Sequence, residues 1–216
     1  MYAAMANPLP PVGEELLATA LDLFTSRGIS AVGIQELTET AGHTRDSLYR
    51  IFKSKTGLVL ATLDRYKEEL PWLEFLQSAV AELDRRDGAA PADRPEWART
   101  QLLGLMNQVT AWSVQRGDRG CYLLRSAAEL RDDPKRASGI DRQVALARIR
   151  GFHQETRRLL GRLTQAVGAS NPRALAAALH LQIYGILGTA AVDRPPSRAA
   201  ARGYAQALLT QYGAAG

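Results

Sequence analysis

The chain has 216 residues, a formal net charge of +5 and a single cysteine, and this length is sufficient to bury a full hydrophobic core. It contains no run of about 18 apolar residues and neither end shows a targeting signal, so we expect a cytoplasmic protein without a membrane span. With only Cys121 and three scattered histidines, neither an internal disulfide nor a metal site is expected.

The positive charge of the chain is not concentrated in its N-terminal residues 1–60. Residues 1–60 carry five Lys and Arg against six Asp and Glu. A net basic protein is compatible with binding nucleic acid, but only the distribution of the charge identifies the surface. The local exception is a run of four basic residues between Arg45 and Lys55, opposed only by Asp46.

Apolar residues recur three and four positions apart along most of the chain, which predicts an all-α fold of about nine helices. Residues 1–12 contain three prolines and are predicted to be a disordered arm. Gly28 is predicted to end the first helix. The other predicted helices cover approximately 33–41, 45–52, 55–86 with a break at Pro71, a stretch after the loop 87–95, 121–131, 140–167, 172–192 and 197–212. Ser54 and Asn171 are predicted to cap the helices that they precede.

Residues 34–51 have the spacing of a helix-turn-helix, although short helix pairs with a glycine turn also occur in other all-α proteins. Gly42 can adopt the positive φ that a tight turn requires. Thr44 precedes the second helix, where a hydroxyl can cap the helix and favour a phosphate. The apolar positions predicted to lock the two helices together are Leu37, Ala41, Leu48 and Ile51.

The segment from Leu16 to Ala61 resembles the N-terminal domain of the TetR family of bacterial transcriptional regulators. The segment departs from the family pattern at Val32-Gly33, Thr38 and His43. The resemblance rests on Ala20, Leu23, Phe24, Gly28, Leu37, Ala41, Gly42, Leu48, Tyr49, Phe52, Lys55 and Leu58. It implies a helix-turn-helix DNA-binding domain over residues 13–60 and a regulatory, ligand-binding and dimerisation domain over 61–216.

The same resemblance implies a repressor, not an enzyme, that binds a palindromic DNA operator as a homodimer. Thr44, Tyr49 and Lys55 would contact phosphates, and a hydroxyl or an ammonium group suits a phosphate oxygen. Arg45, Ser47 and Arg50 would face the groove, where an arginine can bind guanine O6 and N7 together. Tyr49 also fits a packing position, and the two arginines also fit solvated positions.

The dimer is expected to form through the two C-terminal helices by the same resemblance. Residues 172–192 have hardly any polar face, as expected of a helix buried against both its own core and a partner. The predicted interface residues are Leu179, Ile183, Gly185, Ile186 and Gly188.

Large side chains on helices that should converge predict a mostly apolar pocket. Its ligand would be an uncharged or weakly charged aromatic or lipophilic molecule whose binding weakens the affinity for DNA. Gln108 and His180 would add polar groups. The predicted lining residues are Trp72, Phe75, Met106, Val109, Trp112, Phe152, His153 and Tyr184.

An all-α metabolite-binding protein or a small enzyme without DNA contact remains an alternative. It would explain the aromatic residues of the C-terminal helices but not the pattern in residues 16–61. No nucleophile with its base, phosphate loop or metal cluster is visible, so no catalytic residue or cofactor is predicted. Oxidation or alkylation of Cys121 is a second possible trigger, although an isolated cysteine on an apolar helix is usually inert.

Overall fold

The computed structural model describes residues 8–86, 93–116, 120–132, 139–190 and 192–213. These ranges contain ten α-helices and no β-strand, which confirms the predicted all-α class. The helices are α1 (Pro11–Arg27), α2 (Ile34–Thr40), α3 (Arg45–Phe52), α4 (Lys55–Glu68), α5 (Pro71–Arg85), α6 (Arg94–Arg116), α7 (Tyr122–Asp132), α8 (Arg142–Ala166), α9 (Pro172–Thr189) and α10 (Arg198–Gln211).

The first helix begins inside the predicted disordered arm. Pro11 is its first residue, and Pro10 before it is extended with ψ of 158°. Proline suits this position because its fixed φ matches a helix and its missing N–H would have no helical acceptor. The arm prediction is therefore wrong from Pro11 onward, whereas residues 1–7 lie outside the described residues.

The predicted break at Pro71 separates two helices, which accounts for ten helices where about nine were expected. Helix α4 ends at Glu68, and Leu70 has the extended ψ of 100°. A residue before proline is pushed away from helical geometry by the proline ring, so α5 must start afresh. The next predicted loop, 87–95, lies largely outside the described residues, and α6 begins at Arg94.

The chain divides into two compact units that do not follow the sequence order. The first unit combines residues 1–69 with 122–151, and the second combines residues 70–121 with 152–216. Helices α1 to α4 therefore pack with α7, which is distant from them in the sequence. The predicted boundary at residue 60 separates two domains by function, one for DNA binding and one for regulation, and it stays a prediction.

The first unit has an apolar centre with a buried polar contact between α4 and α7. Thr62 and Tyr122 hydroxyls lie 3.0 Å apart, and the Tyr122 amide donates to the Tyr66 hydroxyl at 3.2 Å. Burial raises the pKa of Tyr122, so the phenol stays protonated and able to donate. Fully buried apolar residues of this unit include Leu16, Ala20, Phe24, Leu37, Leu48 and Leu58.

The second unit has its core between α5, α6, α9 and α10 and the second half of α8. Asn171 caps α9 by accepting from the Ala174 amide, and Ser197 caps α10 by accepting from the Ala200 amide, both at 3.1 Å. Within the described ranges, no helix is both long and apolar enough to cross a membrane. Buried residues of this unit include Trp72, Leu76, Leu102, Met106, Leu160, Leu163, Leu179 and Ile183.

Candidate nucleic-acid interface

The turn between α2 and α3 has the geometry predicted from the sequence. Gly42 has a φ of +70°, and the Thr44 hydroxyl accepts from the Ser47 amide at 3.2 Å. The His43 amide donates to the Thr38 carbonyl at 2.8 Å, and its Nε2 lies 2.6 Å from a Glu15 carboxylate oxygen. His43, a departure from the family pattern, thus ties the turn to α1.

Helix α3 separates a buried side from an exposed one. Leu48 and Phe52 are buried, whereas Ile51 and Ala41 are only half-buried. Because helical residues three and four apart share a face, burial of Leu48 and Phe52 turns the opposite side of the helix to solvent. Among the predicted DNA contacts, Arg45, Arg50 and Thr44 are exposed, Tyr49 is 45% exposed and Ser47 is half-buried.

Arg45 is held by a partner that sequence reasoning missed. Its Nη2 donates to the side-chain oxygen of Gln35 on α2 at 2.6 Å, and the Gln35 amide group donates to Glu39 at 2.9 Å. The hydrogen-bonded row restricts the rotamers of an otherwise exposed arginine. The sequence around Gln35 does not predict this contact, because Gln35 meets Arg45 only when α3 packs against α2.

Lys55 lies at the start of α4 and donates from Nζ to the Val32 carbonyl at 2.8 Å. Burial lowers the pKa of Lys55, and the nearby Glu129 carboxylate partly offsets this by raising it. Ser54 caps the same helix by accepting from the Gly57 amide at 3.0 Å, as predicted. The Lys55 side chain, which was predicted to contact a phosphate, is therefore already held in place by the Val32 carbonyl.

An open cleft of about 390 Å³ lies beside the exposed side of α3. Two of its lining residues, Tyr49 and Lys55, were predicted phosphate contacts. Lys53 also lines the cleft, has a φ of +68° and donates from Nζ to the Arg50 carbonyl at 2.8 Å. The remaining lining residues are Gly33, Ile34, Ser54 and Gly139.

The cleft combines a helix N-terminus with two ammonium groups and a phenol. The partial positive charge of the α4 N-terminus and the nearby lysines favour an anion, and a phenol can donate to an oxygen. This arrangement suits one phosphate of a nucleic-acid backbone, while the exposed side chains of α3 remain available for base edges.

The structure brings together some of the predicted ligand-binding residues of the second unit. Ring centroids are 6.1 Å apart for Trp72 and Phe152, and 5.8 Å apart for Phe152 and His153. Tyr184 lies 4.5 Å from His153 and 4.7 Å from His180 between centroids. Phe75 lies against Gly104 instead, with its Cζ 3.2 Å from where a Cβ of that glycine would be.

The other predicted pocket residues, Met106, Val109 and Trp112, are buried on α6. Two polar atoms near the aromatic rings, Trp72 Nε1 and His180 Nε2, are buried without a hydrogen-bond partner in the described part of the chain. Burial, together with His153 and Arg157, lowers the pKa of His180 to about 4. No group of three or more potential metal ligands occurs among the described residues.

The predicted dimer residues divide into two sets with different surroundings. Leu179, Ile183 and Ile186 are buried in the core of the chain itself. Gly185 is exposed and Gly188 is half-buried. The apolar side chain that α9 does expose is Leu181, at 71%.

Residues 16–62, which contain the turn, α3 and the start of α4, match the family model of bacterial regulatory proteins of the tetR family. Residues 16–62 therefore form a segment of the tetR-family type. Four residues that line the cleft were not predicted to contact DNA, and all four lie within the matched segment: Gly33, Ile34, Lys53 and Ser54.

Two curated relatives are transcriptional regulators, one an activator and the other a repressor. The activator FasR of Mycolicibacterium smegmatis is 39% identical over 56 residues, covering 26% of each chain. The repressor NemR of Escherichia coli is 30% identical over 124 residues, covering 55% of this chain and 54% of NemR. The matches thus span between a quarter and about half of the relatives' length.

The similarity of fold extends over nearly the whole chain. A TetR-family transcriptional regulator from Streptomyces coelicolor superimposes with a TM-score of 0.68, covering 93% of this chain and 95% of that one at 23% identity. At this level of identity the similarity concerns the fold and not the roles of individual side chains.

Proposed function

We propose that the chain is a transcriptional repressor that binds a palindromic DNA operator as a homodimer and is released by a small apolar molecule. The observation that carries this proposal is the cleft lined by Tyr49, Lys53 and Lys55 beside the exposed side of α3. A phosphate in the cleft would place α3 against a groove, where Arg45 and Arg50 can reach bases.

Specific binding requires that these arginines be free to contact bases while the helix itself stays fixed. Arg50 is exposed, and its backbone carbonyl accepts from Lys53. Leu48, on the opposite side of α3, is fully buried. Removal of the Arg50 side chain is therefore expected to change DNA affinity with little effect on folding.

The experiment is a titration of labelled genomic fragments, followed by the selected duplex, with Arg50→Ala and Arg150→Ala. Arg150 is a matched control because it is exposed on α8 and donates to the Leu146 carbonyl within its own helix. The Arg50 variant should lose about 1–3 kcal/mol of binding free energy, and the Arg150 variant almost none. If the unmodified protein retains no duplex even at low salt, the proposed function is wrong.

The dimer surface proposed here is the exposed side of α9 and α10. Leu181 and Tyr204 are 71% and 65% exposed, and Gly185 lies on the same side of α9 as Leu181. The Gln182 amide donates to the Ala201 carbonyl at 2.5 Å, which holds the two helices together. Small residues beside large apolar ones allow close helix packing, as a two-fold contact requires.

Substitution of Gly185 by arginine tests the dimer directly. A Cβ at Gly185 would meet no atom within 4 Å, so the variant should fold normally. Gly151 on α8 is a matched control, because it is also exposed and has equal space for a Cβ. Sedimentation should show a monomer for Gly185→Arg and a dimer for Gly151→Arg. A Gly185→Arg protein that remains dimeric would refute this surface.

The proposed ligand site is the group of rings formed by Trp72, Phe152, His153 and Tyr184. A buried indole N–H without an acceptor costs free energy, and a ligand that accepts its hydrogen bond would recover it. The rings offer apolar contact to an aromatic or lipophilic body. A ligand weakens DNA binding only if it prefers the state with low DNA affinity, and a tenfold effect needs about 1.4 kcal/mol of preference.

A panel of neutral aromatic molecules tests the ligand site by thermal shift, and each stabilising compound is then added to the DNA titration. The compounds should lower DNA affinity for the unmodified protein and less so for Trp72→Phe, which lacks the indole N–H. Cys121→Ser should respond normally, because Cys121 is buried. Loss of the response in Cys121→Ser alone would favour a thiol switch over the ligand site.

A further inference from the structure

Helix α7 carries an arginine that binds the end of α1. Arg125 Nη2 donates to the Phe24 carbonyl at 2.6 Å and to the Thr25 carbonyl. The Phe24 carbonyl also accepts from the Gly28 amide at 3.0 Å. The carbonyls at the end of a helix carry its negative dipole end and have further capacity to accept, so a guanidinium is well suited to them. Arg125 thus ties the C-terminal end of α1 to α7.

One turn later on α7, Glu129 binds the segment that follows α1. Its Oε2 accepts from the Ser30 amide at 3.1 Å, and its Oε1 lies 3.8 Å from Arg125 Nε. Gly28 has a φ of +96°, and a Cβ there would lie 2.5 Å from Glu129 Oε1. Glycine at this position therefore permits both the turn and the close approach of the carboxylate.

The anchored segment, residues 28–33, leads directly to the cleft. Val32 supplies the carbonyl that accepts from Lys55 Nζ at 2.8 Å, and Gly33 lines the cleft. Glu129 thus reaches Lys55 through one short segment, and its carboxylate also acts on Lys55 through space. Arg125 and Glu129 lie outside residues 16–62, the part that matches the family model, whereas the residues that they contact lie within it.

We propose that Arg125 and Glu129 are positioning residues for DNA binding, which hold the segment from Gly28 to Gly33 so that Lys55 and the cleft are ordered before DNA arrives. The inference rests on the proposed function, because it assumes that a phosphate binds in the cleft. Preorganisation raises affinity because the ordering cost is met during folding and not on binding.

The proposal requires that the side chain of residue 129 accept a hydrogen bond, but it does not require a negative charge there. Glu129→Gln retains an oxygen that can accept from the Ser30 amide, whereas Glu129→Ala does not. A carboxylate near a phosphate site also repels the phosphate, so Glu129→Gln should bind DNA as well as the unmodified protein or better. The two variants therefore separate the anchor from the charge.

The experiment measures the affinity of the full chain for its selected duplex over a series of salt concentrations. Glu129→Ala should bind at least about tenfold more weakly, as expected for loss of a hydrogen bond to a charged group. Its salt dependence should be shallower by about one unit for each lost lysine contact. Arg131→Gln is the matched control, since Arg131 is exposed on the same helix and donates to the Ala127 carbonyl within that helix.

Hydrogen exchange at the Ser30 amide provides a readout independent of DNA. Exchange should accelerate in Glu129→Ala and remain slow in Glu129→Gln and Arg131→Gln. A folded Glu129→Ala protein that binds DNA with unchanged affinity and salt dependence would overturn the proposal, as would a Glu129→Gln protein as weak as Glu129→Ala.

Arg125→Met decides the question if Glu129→Ala does not fold, because it retains Glu129 and the apolar part of the side chain. It should bind DNA several-fold more weakly with the same shallow salt dependence, and unchanged affinity would overturn the proposal. The proposed function fails separately, when the unmodified protein itself binds no duplex. Normal binding by the unmodified protein and by every variant refutes only the positioning role.

Discussion

Helices α3 and α9 differ in how their surfaces are divided. Helix α3 buries Leu48 and Phe52 and turns Arg45 and Arg50 outward, so polar and apolar residues lie on separate sides. Helix α9 is apolar on nearly every side. When polar and apolar residues lie on separate sides of a helix, its sequence shows which residues face solvent. When nearly all residues of a helix are apolar, its sequence does not show which residues face the core of the chain and which face a partner.

The structure shows which residues of α9 face the core of the chain. Leu179 and Ile183 are fully buried in the chain, whereas Leu181 is largely exposed. Their spacing explains the difference, because residues two positions apart on a helix point in very different directions. The difference between α3 and α9 can therefore be tested by substitution. A change at a buried position should affect folding, and a change at an exposed position should affect dimer assembly or DNA binding.

The largest effect is expected for Ile183→Ala on α9. Ile183 is fully buried, so the substitution should lower the free energy of unfolding by about 2–5 kcal/mol through lost burial and a cavity. Chemical denaturation at constant protein concentration measures this value.

Leu181→Ala is the matched test on the same helix. Because Leu181 is 71% exposed, the stability of the subunit should change by no more than about 0.5 kcal/mol. Its dimer dissociation constant should rise, as measured by sedimentation. Equal destabilisation by both substitutions under monomeric conditions would show that the two sides of α9 are not distinct.

The next effect concerns Arg45 on the exposed side of α3. Arg45→Ala should cost about 1–3 kcal/mol of binding free energy on the duplex that carries its base and much less on a duplex with that base pair changed. Stability should hardly change, because Arg45 is exposed. Fluorescence anisotropy with both duplexes measures the difference, and an equal loss on both would assign Arg45 to the backbone.

Local features of the fold were predictable because neighbouring residues determine them. The positive φ of Gly42 and the caps by Thr44, Ser54 and Asn171 depend on a few consecutive residues, and all four are confirmed. The restart at Pro71 is likewise local. These features sufficed to place α3 and the start of α4, and hence most of the candidate interface.

Features that depend on distant residues could not be predicted in this way. The contacts of Arg125 and Glu129 with α1 and its following turn join residues about 100 positions apart. The local sequence around each residue does not show which part of the chain its side chain contacts. The contact of Gln35 with Arg45 was missed for the same reason, since it exists only once α2 and α3 have packed.

A smaller effect is expected when the α3 cap is removed. Thr44→Ala should lower the free energy of unfolding by about 1 kcal/mol, because the Ser47 amide loses its acceptor. Thr44→Ser keeps a hydroxyl and should be nearly neutral. Thermal unfolding of both variants measures the difference, and equal loss in the two would show that the methyl group matters and the cap does not.

The smallest effect is expected from His180 on α9, and it appears only as a dependence on pH. The pKa of His180 is lowered to about 4 in the folded chain by burial and by His153 and Arg157, from an unfolded value near 6.5. Between these values the unfolded chain binds more protons, so stability falls as the pH decreases from about 6.5 to about 4. Because the ring is only half-buried, water screens part of this effect. His180→Phe should reduce the slope of unfolding free energy against pH in that window, while Thr44→Ala should shift the curve at every pH without changing its slope. An unchanged slope in His180→Phe would show that other groups, such as carboxylates, cause the acid sensitivity.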